Sequence, residues 1–303
     1  MSLRQDLSSD KFIITAELNP PKHIDLTKLL TNAGKLKGLV SAINITDNSG
    51  AGMKMASLAA SYIMQRDTGT EAIWQLTCRD RNRLGLQSDL IGGAALGLKN
   101  LLILRGDIPI KDGSLPEDKC FDLSTDDLLK AIQALKSGKD YDGIDLKGTA
   151  PDFCVAAAAH PGMPDLKAQT ETMKRRFENG AEFFQTQICF EKEQIARFVE
   201  SIGDELASKT LLGITPLKTI KQAEFMNKNI WGVTVPDSQI KIMQDALADK
   251  DPQSDEGKTR MQEQGLALTK ELVDYIKTTP LKGIHIMAIG QESILDKIIK
   301  TIA

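Results

Sequence analysis

The sequence contains few aromatic residues and few histidines. Phe, Trp and Tyr make up 5 % of the 303 residues, so a buried core has to be built mostly from Leu, Ile, Val, Ala and Met. The three histidines, His23, His160 and His285, are far apart and form no HExxH motif. Zinc sites need clustered histidine, cysteine or carboxylate ligands, so we expect no bound metal.

Cysteine is also scarce, and no two cysteines form a CxxC pair. The four lie far apart, mostly within apolar runs, at Cys78, Cys120, Cys154 and Cys189. This pattern favours free buried thiols over disulfides or a metal centre.

Neither sign of charge dominates, since 38 basic residues face 41 acidic ones for a net charge of −3. Nucleic acids and anionic membranes need a concentrated basic face, so we expect neither as a partner. No stretch reaches the about 18 apolar residues of a membrane span, and Met1–Asp10 lacks the apolar core of a secretory signal. We therefore expect a cytoplasmic protein that binds a small molecule.

Short apolar runs alternate with stretches of helical periodicity along the whole chain. Eight runs are typical of buried parallel strands: Phe12–Glu17, Leu39–Thr46, Glu71–Thr77, Leu101–Arg105, Phe153–Ala158, Glu182–Gln187, Thr210–Ile214 and Gly283–Ala288. Eight βα repeats predict an α/β fold, a (β/α)8 TIM barrel in a single domain over residues 1–303. An open doubly wound sheet is the alternative, disfavoured because no GxGxxG follows a strand.

Gly92-Gly93 falls inside a helical pattern and predicts close helix packing instead of a phosphate-binding turn. Two stretches, Lys111–Lys119 and Ala246–Lys258, have the composition of loops.

Polar residues follow several of the predicted strands. Arg105-Gly106-Asp107 ends the fourth strand, and Glu17 ends the first, shortly before Pro20-Pro21. Ligands bind at the carboxyl ends of the strands in a parallel barrel, so these residues are candidates for chemistry. From the residues alone, an ion pair with a turn glycine at Arg105–Asp107 and a helix-capping or solvated Glu17 remain open.

A series of short motifs, in the same order along nearly the whole chain, resembles the methylenetetrahydrofolate reductase family. They are Glu17 with Asn19-Pro20-Pro21-Lys22, Thr46-Asp47-Asn48, the block from Gln75 to Arg83, Leu86-Gln87-Ser88-Asp89, Leu104-Arg105-Gly106-Asp107, Ala157-Ala158-Ala159-His160-Pro161, Lys174-Arg175-Arg176, Asn179-Gly180-Ala181, Phe183-Phe184-Gln185-Thr186-Gln187, Gly213-Ile214-Thr215-Pro216-Leu217 and Gly232-Val233-Thr234-Val235-Pro236.

The resemblance implies a flavoprotein oxidoreductase of one-carbon metabolism and methionine biosynthesis with a (β/α)8 barrel. It would reduce 5,10-methylenetetrahydrofolate to 5-methyltetrahydrofolate by hydride transfer from a reduced flavin to a 5-iminium cation. The alternative is a non-catalytic or partner-dependent folate- and flavin-binding subunit of a larger electron-transfer complex.

The resemblance also implies roles for individual residues. Glu17 would donate the proton that opens the folate ring, and Asp107 would stabilise the iminium cation. Positions around the flavin are Thr46, Gln75, Arg105, Gly106, Asp107, Asp122, His160 and Arg176. Positions that contact the folate are Glu17, Gln187, Gln222 and Gln291.

Several positions depart from the family pattern. Gln75 replaces a histidine, Gln291 replaces an arginine that can reach the glutamate tail of folate, and Ala156 replaces a tyrosine that can flank adenine. The family's habit implies FAD, and the change on the adenosine side makes FMN the alternative. The electron donor is expected to be NAD(P)H or a partner subunit, and the assembly a homo-oligomer or hetero-complex. The chain resembles the short catalytic-barrel form found in anaerobes with the acetyl-CoA pathway, without a regulatory domain.

Overall fold

Eight parallel strands form a closed barrel in the order β1 to β8. The computed structural model describes residues 2–107 and 120–303. The strands are β1 Ile13–Leu18, β2 Ala42–Ile45, β3 Ala72–Thr77, β4 Asn100–Leu104, β5 Cys154–Ala159, β6 Phe183–Ile188, β7 Thr210–Ile214 and β8 Gly283–Met287. The predicted (β/α)8 barrel is confirmed, and the open doubly wound sheet is wrong.

Helices follow the strands in the alternation that the sequence predicts. They are α1 Leu3–Leu7, α2 Thr27–Leu36, α3 Ser57–Thr68, α4 Arg83–Ala95, α5 Thr125–Lys136, α6 Leu166–Glu178, α7 Lys192–Ala207, α8 Ile220–Asn229, α9 Asp237–Leu247, α10 Asp255–Ile276 and α11 Leu295–Ile302. Short 3-10 helices cover Ser49–Ala51 and Glu292–Ile294.

The boundaries differ from the predicted ones where caps and turns intervene. β2 begins at Ala42 and not at Leu39, because Gly38 takes a left-handed conformation (φ +78°) after α2. The loop predicted over Ala246–Lys258 is shorter. α9 ends at Leu247, and Ser254 caps the start of α10 by accepting a hydrogen bond from Gly257 N. The predicted loop Lys111–Lys119 lies outside the described residues.

The chain divides into two compact units, each with dense internal contacts. The first unit comprises residues 1–10, 15–158 and 174–184, and the second comprises residues 11–14, 159–173 and 185–303. A single domain over residues 1–303 stays a prediction.

In the core of the first unit, a strand packs closely against a helix. Trp74 on β3 is fully buried, and its Nε1 donates to Ser57 Oγ at 2.9 Å. A Cβ on Gly93 of α4 would lie 2.5 Å from the Trp74 ring, whereas a Cβ on Gly92 would meet nothing within 4 Å. Close packing is therefore confirmed at Gly93 and wrong at Gly92.

The core of the second unit includes an aliphatic and methionine-rich cluster. Its members include Val235, Met243 on α9 and Met261 on α10. Leu272 and Ile276, which follow Met261 on α10, are also buried. This core contains few aromatic residues, as the composition predicts.

Three of the four cysteines are buried, as expected, and all four are free thiols. Cys120 is exposed, so the expectation of a buried thiol is wrong there. Burial raises the pKa of the Cys78 and Cys154 thiols to about 12.

Within residues 2–107 and 120–303, no helix is long and apolar enough to cross a membrane. The same residues contain no group of three or more histidine, cysteine, aspartate or glutamate side chains that could hold a metal ion.

Candidate functional site at the strand ends

Glu17, near the end of β1, is held by an amide from β3. Gln75 Nε2 donates to Glu17 Oε2 at 2.9 Å, and the Gln75 side chain is 5 % exposed. This hydrogen bond fixes the orientation of the Glu17 carboxyl group. Gln75, predicted to contact the flavin, therefore contacts the predicted proton donor.

Asp107 lies three residues beyond the end of β4 and accepts a backbone hydrogen bond. Gly50 N donates to Asp107 Oδ2 at 2.6 Å, and Arg79 Nη1 donates to the Asp107 carbonyl oxygen at 3.0 Å. The Asp107 side chain is exposed. It is therefore available to a ligand and held in place at the same time.

Arg105, two residues before Asp107, contacts an aromatic ring instead of the Gly50 backbone. Its guanidinium carbon lies 5.3 Å from the centre of the Phe121 ring, a cation–π geometry. Arg105 and Phe121 line a cavity of about 350 Å³ together with Leu123, Ser124, Thr125, Asp126 and Arg176.

The cavity lies at the amino terminus of α5, where free backbone N–H groups favour an anion. Ser124 caps this helix, its side chain accepting a hydrogen bond from Asp127 N. Two arginines and one aspartate line the cavity, so its charged side chains carry a net positive charge.

Two arginines of α6, Arg175 and Arg176, contact Asp126, and Arg176 is the more buried of them. Its Nη1 donates to the Ala158 carbonyl at 2.8 Å, and its Nε is 3.6 Å from Asp126 Oδ1 and makes no hydrogen bond within the described chain. Burial lowers the pKa of the guanidinium, while Asp126 opposes this effect. An anion in the cavity would satisfy such a group.

Three other predicted flavin positions have partners within the chain. Thr46 Oγ1 donates to Asn19 Oδ1 at 3.0 Å, and Asp122 Oδ2 accepts from Arg83 N at 2.7 Å in the first turn of α4. Gly106 has φ +93°, and a Cβ there would lie 2.8 Å from the Arg79 Cβ. A left-handed turn packed on Arg79 thus accounts for the glycine.

In the second unit, two predicted folate-contacting amides lie at element ends. Gln222 on α8 is buried; its Oε1 accepts from Lys218 N at 2.9 Å, and its Nε2 has no hydrogen-bond partner in the described chain. Gln187 on β6 accepts from Ile188 N at 3.0 Å. The folate contacts of Gln187 and Gln222 stay predictions.

Gln291 and His160 are engaged with neighbours. Gln291 is 5 % exposed and donates from Nε2 to the Pro216 carbonyl at 2.8 Å. The His160 ring packs edge-on against Trp231, with 5.7 Å between ring centres. Their roles toward a folate or flavin stay predictions.

Arg79, Gly50 and the amino terminus of α5 lie at the site but were not predicted from the sequence as parts of it. Arg79 and Gly50 hold Asp107 through backbone atoms, which a residue pattern does not reveal. The α5 terminus had a usable signal, since Ser124 followed by Asp127 has the spacing of a capping box.

A closed parallel barrel with positioned carboxylates at its strand ends and a positively charged cavity at a helix terminus is the arrangement expected of a (β/α)8-barrel enzyme. The family model described as methylenetetrahydrofolate reductase matches residues 2–303. The chain belongs to this family of flavin-dependent oxidoreductases.

Among curated relatives, the 5,10-methylenetetrahydrofolate reductase of Pectobacterium carotovorum subsp. carotovorum is 24 % identical over 283 residues, covering 92 % of this chain and 86 % of the relative. The enzyme of the same name from Escherichia coli (strain K12) is 26 % identical over 220 residues, covering 70 % of this chain and 67 % of the relative. The family reaction is the flavin-dependent reduction of 5,10-methylenetetrahydrofolate.

The fold also matches a solved structure from Clostridium thermocellum, described as a protein that binds two copies of 5-methyl-5,6,7,8-tetrahydrofolic acid. The TM-score is 0.63 at 15 % identity, with all of both chains covered. At this identity the likeness supports the barrel fold alone.

Proposed function

We propose that this chain reduces 5,10-methylenetetrahydrofolate to 5-methyltetrahydrofolate with Glu17 as the proton donor and Asp107 as the stabiliser of the cationic folate intermediate. The observation that carries the proposal is that both carboxylates are held by neutral N–H donors. Gln75 Nε2 lies 2.9 Å from Glu17, and Gly50 N lies 2.6 Å from Asp107. Each side chain is thereby held in a fixed orientation.

Glu17 is suited to proton transfer because it is half-buried and its position is fixed. A protonated Glu17 would give its proton to the folate amine and thereby assist opening of the five-membered ring. Asp107 would favour the iminium cation that ring opening leaves on the folate, because a fixed negative charge stabilises a nearby positive one. Gln222 would orient the pterin through its Nε2.

The residues of the first unit fit a flavin. Arg105, Arg176 and the amino terminus of α5 line a cavity with a net positive charge, and Arg176 Nε has no hydrogen-bond partner in the described chain. These groups would hold the phosphate part of the cofactor. When bound, the flavin supplies the hydride that the folate accepts.

We propose FAD as the flavin, with FMN as the alternative. A phosphate-binding cavity accommodates either cofactor, and the family habit favours FAD. Ala156, where a tyrosine can flank adenine, is fully buried in β5 and offers no ring for stacking. This residue favours FMN. The cytoplasmic location and an oligomeric or hetero-complex assembly remain part of the proposal.

The partner-dependent alternative is favoured by Gln291. Its amide is bonded to the Pro216 carbonyl and carries no charge for the glutamate tail of folate. A partner subunit could supply this contact or deliver the electrons in place of NAD(P)H.

One preparation of the purified chain tests these points together. We expect a yellow flavin spectrum, release of FAD on denaturation, and anaerobic bleaching of the flavin by 5-methyltetrahydrofolate. Reduction by NADH or NADPH would identify a direct donor, whereas bleaching by the folate alone would indicate a partner donor. Absence of flavin, or no bleaching in a flavin-loaded sample, would overturn the proposed reaction.

A further inference from the structure

The guanidinium of Arg79, on the segment that follows β3, joins the loops that follow β2 and β4. Arg79 is 1 % exposed. Its Nη2 donates to the Asn48 carbonyl and its Nη1 to the Asp107 carbonyl, both at 3.0 Å. One buried side chain therefore fixes the backbone at two strand ends.

Asp80 holds the Arg79 guanidinium in place. Arg79 Nε donates to Asp80 Oδ1 at 2.8 Å and Nη2 donates to Oδ2 at 2.7 Å, a bidentate pair. Asp80 Oδ2 also accepts from Asn48 Nδ2 at 3.2 Å. A planar guanidinium fixed on one edge presents its remaining N–H groups in set directions, which an ammonium group on a flexible stem does not do.

The turn before Asp107 packs directly on Arg79. Gly106 has φ +93°, and a Cβ at this position would lie 2.8 Å from the Cβ of Arg79. The backbone at Gly106, immediately before Asp107, therefore packs against the Arg79 side chain.

The Asp107 carboxylate is oriented by the other loop that Arg79 holds. Gly50 N donates to Asp107 Oδ2 at 2.6 Å. The residues around this N–H have left-handed backbones, with φ +47° at Asn48, +67° at Gly50 and +54° at Ala51. Such a conformation needs support from its surroundings, and the bond from Arg79 to the Asn48 carbonyl supplies it.

We propose that Arg79 is a positioning residue for Asp107, holding both the backbone that carries the carboxylate and the loop whose N–H orients it. The proposal rests on the role of Asp107 in the proposed function. Arg79 acts only through Asp107, so its effect on catalysis depends on the Asp107 carboxylate.

A double-mutant cycle of Arg79→Lys and Asp107→Asn tests this dependence in the flavin-loaded chain. The readout is the single-turnover rate of flavin reduction by 5-methyltetrahydrofolate. We expect Arg79→Lys to lower the rate about tenfold in the native background and less than about twofold beside Asp107→Asn. A second readout is hydrogen exchange at the Gly50 amide, which we expect to become about tenfold faster in Arg79→Lys.

Arg81→Lys is the matched control. This arginine lies two residues further on and pairs with Asp47 and Asp89, both at 2.7 Å. We expect Arg81→Lys to change the rate of flavin reduction by the same factor in the native and the Asp107→Asn backgrounds. We also expect it to leave hydrogen exchange at the Gly50 amide unchanged.

An equal loss from Arg79→Lys in both backgrounds, or unchanged exchange at Gly50, would overturn the proposal for Arg79 and leave the role of Asp107 intact. No loss of rate in Asp107→Asn would instead overturn the role of Asp107 itself, and with it the role of Arg79. If the Arg79→Lys variant does not retain flavin, Asp80→Asn takes its place in the same cycle. Asp80→Asn weakens the pair that fixes the Arg79 guanidinium but keeps the guanidinium itself.

Discussion

Gln75 Nε2 lies 2.9 Å from Glu17 Oε2 and donates a hydrogen bond to it. The two residues are 58 positions apart in sequence, on β1 and β3 of the barrel. The buried amide of Gln75 is placed to orient the proposed proton donor whatever the pH, because an amide does not titrate in the physiological range.

Glu17→Gln should remove the proton donor and keep the shape of the side chain. We expect turnover with 5-methyltetrahydrofolate and an artificial acceptor to fall about 10²- to 10⁴-fold, with flavin content unchanged. Glu193→Gln, an exposed carboxyl on α7, is the control and should have no effect. Full activity in Glu17→Gln would rule out Glu17 as the acid.

Gln75→Leu should remove the hydrogen bond that orients Glu17. A hydrogen bond to a carboxylate contributes about 1.5–3 kcal/mol. If the transition state loses this contribution, kcat should fall about tenfold or more. Steady-state kinetics should show a smaller change in KM, because Gln75 acts through Glu17. Gln75→His, which supplies another N–H donor, should recover part of the activity, and an unchanged kcat in Gln75→Leu would contradict the positioning role.

Arg176→Met should weaken flavin binding. Removal of a charged hydrogen-bond donor costs about 1.5–3 kcal/mol, or about a ten- to hundredfold rise in the flavin Kd. Titration of the flavin-free protein with FAD, followed by fluorescence, measures this change.

Arg175→Met is the matched control for Arg176. Arg175 also pairs with Asp126, at 3.0 Å, but its side chain is 52 % exposed compared with 17 % for Arg176. We expect little change in Kd for Arg175→Met. Equal losses in both variants would show that general charge, and not the buried cavity, holds the cofactor.

Gly93→Ala should destabilise the barrel, because its Cβ would lie 2.5 Å from the Trp74 ring. Overpacking of this kind costs about 1–3 kcal/mol of unfolding free energy. Gly92→Ala in the same helix meets nothing within 4 Å and should stabilise by about 0.5–1 kcal/mol. Urea denaturation of both variants measures the difference, and effects of the same sign would contradict the packing at Trp74.

Alkylation at pH 8 should modify Cys120 first. Burial raises the pKa of Cys78 and Cys154 to about 12, which keeps them as unreactive thiols at pH 8, whereas Cys120 is exposed. Mass spectrometry after iodoacetamide treatment should find one modified cysteine in the folded protein and four in urea. Rapid labelling of Cys154 in the folded state would contradict its burial.

The sequence by itself determined the barrel, because eight apolar runs with helical stretches between them leave few other ways to bury a core. All eight strands were predicted. The largest boundary error, at Leu39, arose because a left-handed turn at Gly38 delays pairing until Ala42. Motif order was also sufficient to indicate the family.

Only the tertiary structure decided which side chains meet. Gln75 contacts Glu17, Arg79 reaches the carbonyl of Asp107, and Arg105 lies beside Phe121 and Arg176 around one cavity. These contacts join different strands and loops through directional hydrogen bonds, several of them to backbone atoms. The pattern of residue types along a chain does not encode such bonds, whereas it does encode the burial that specifies each strand.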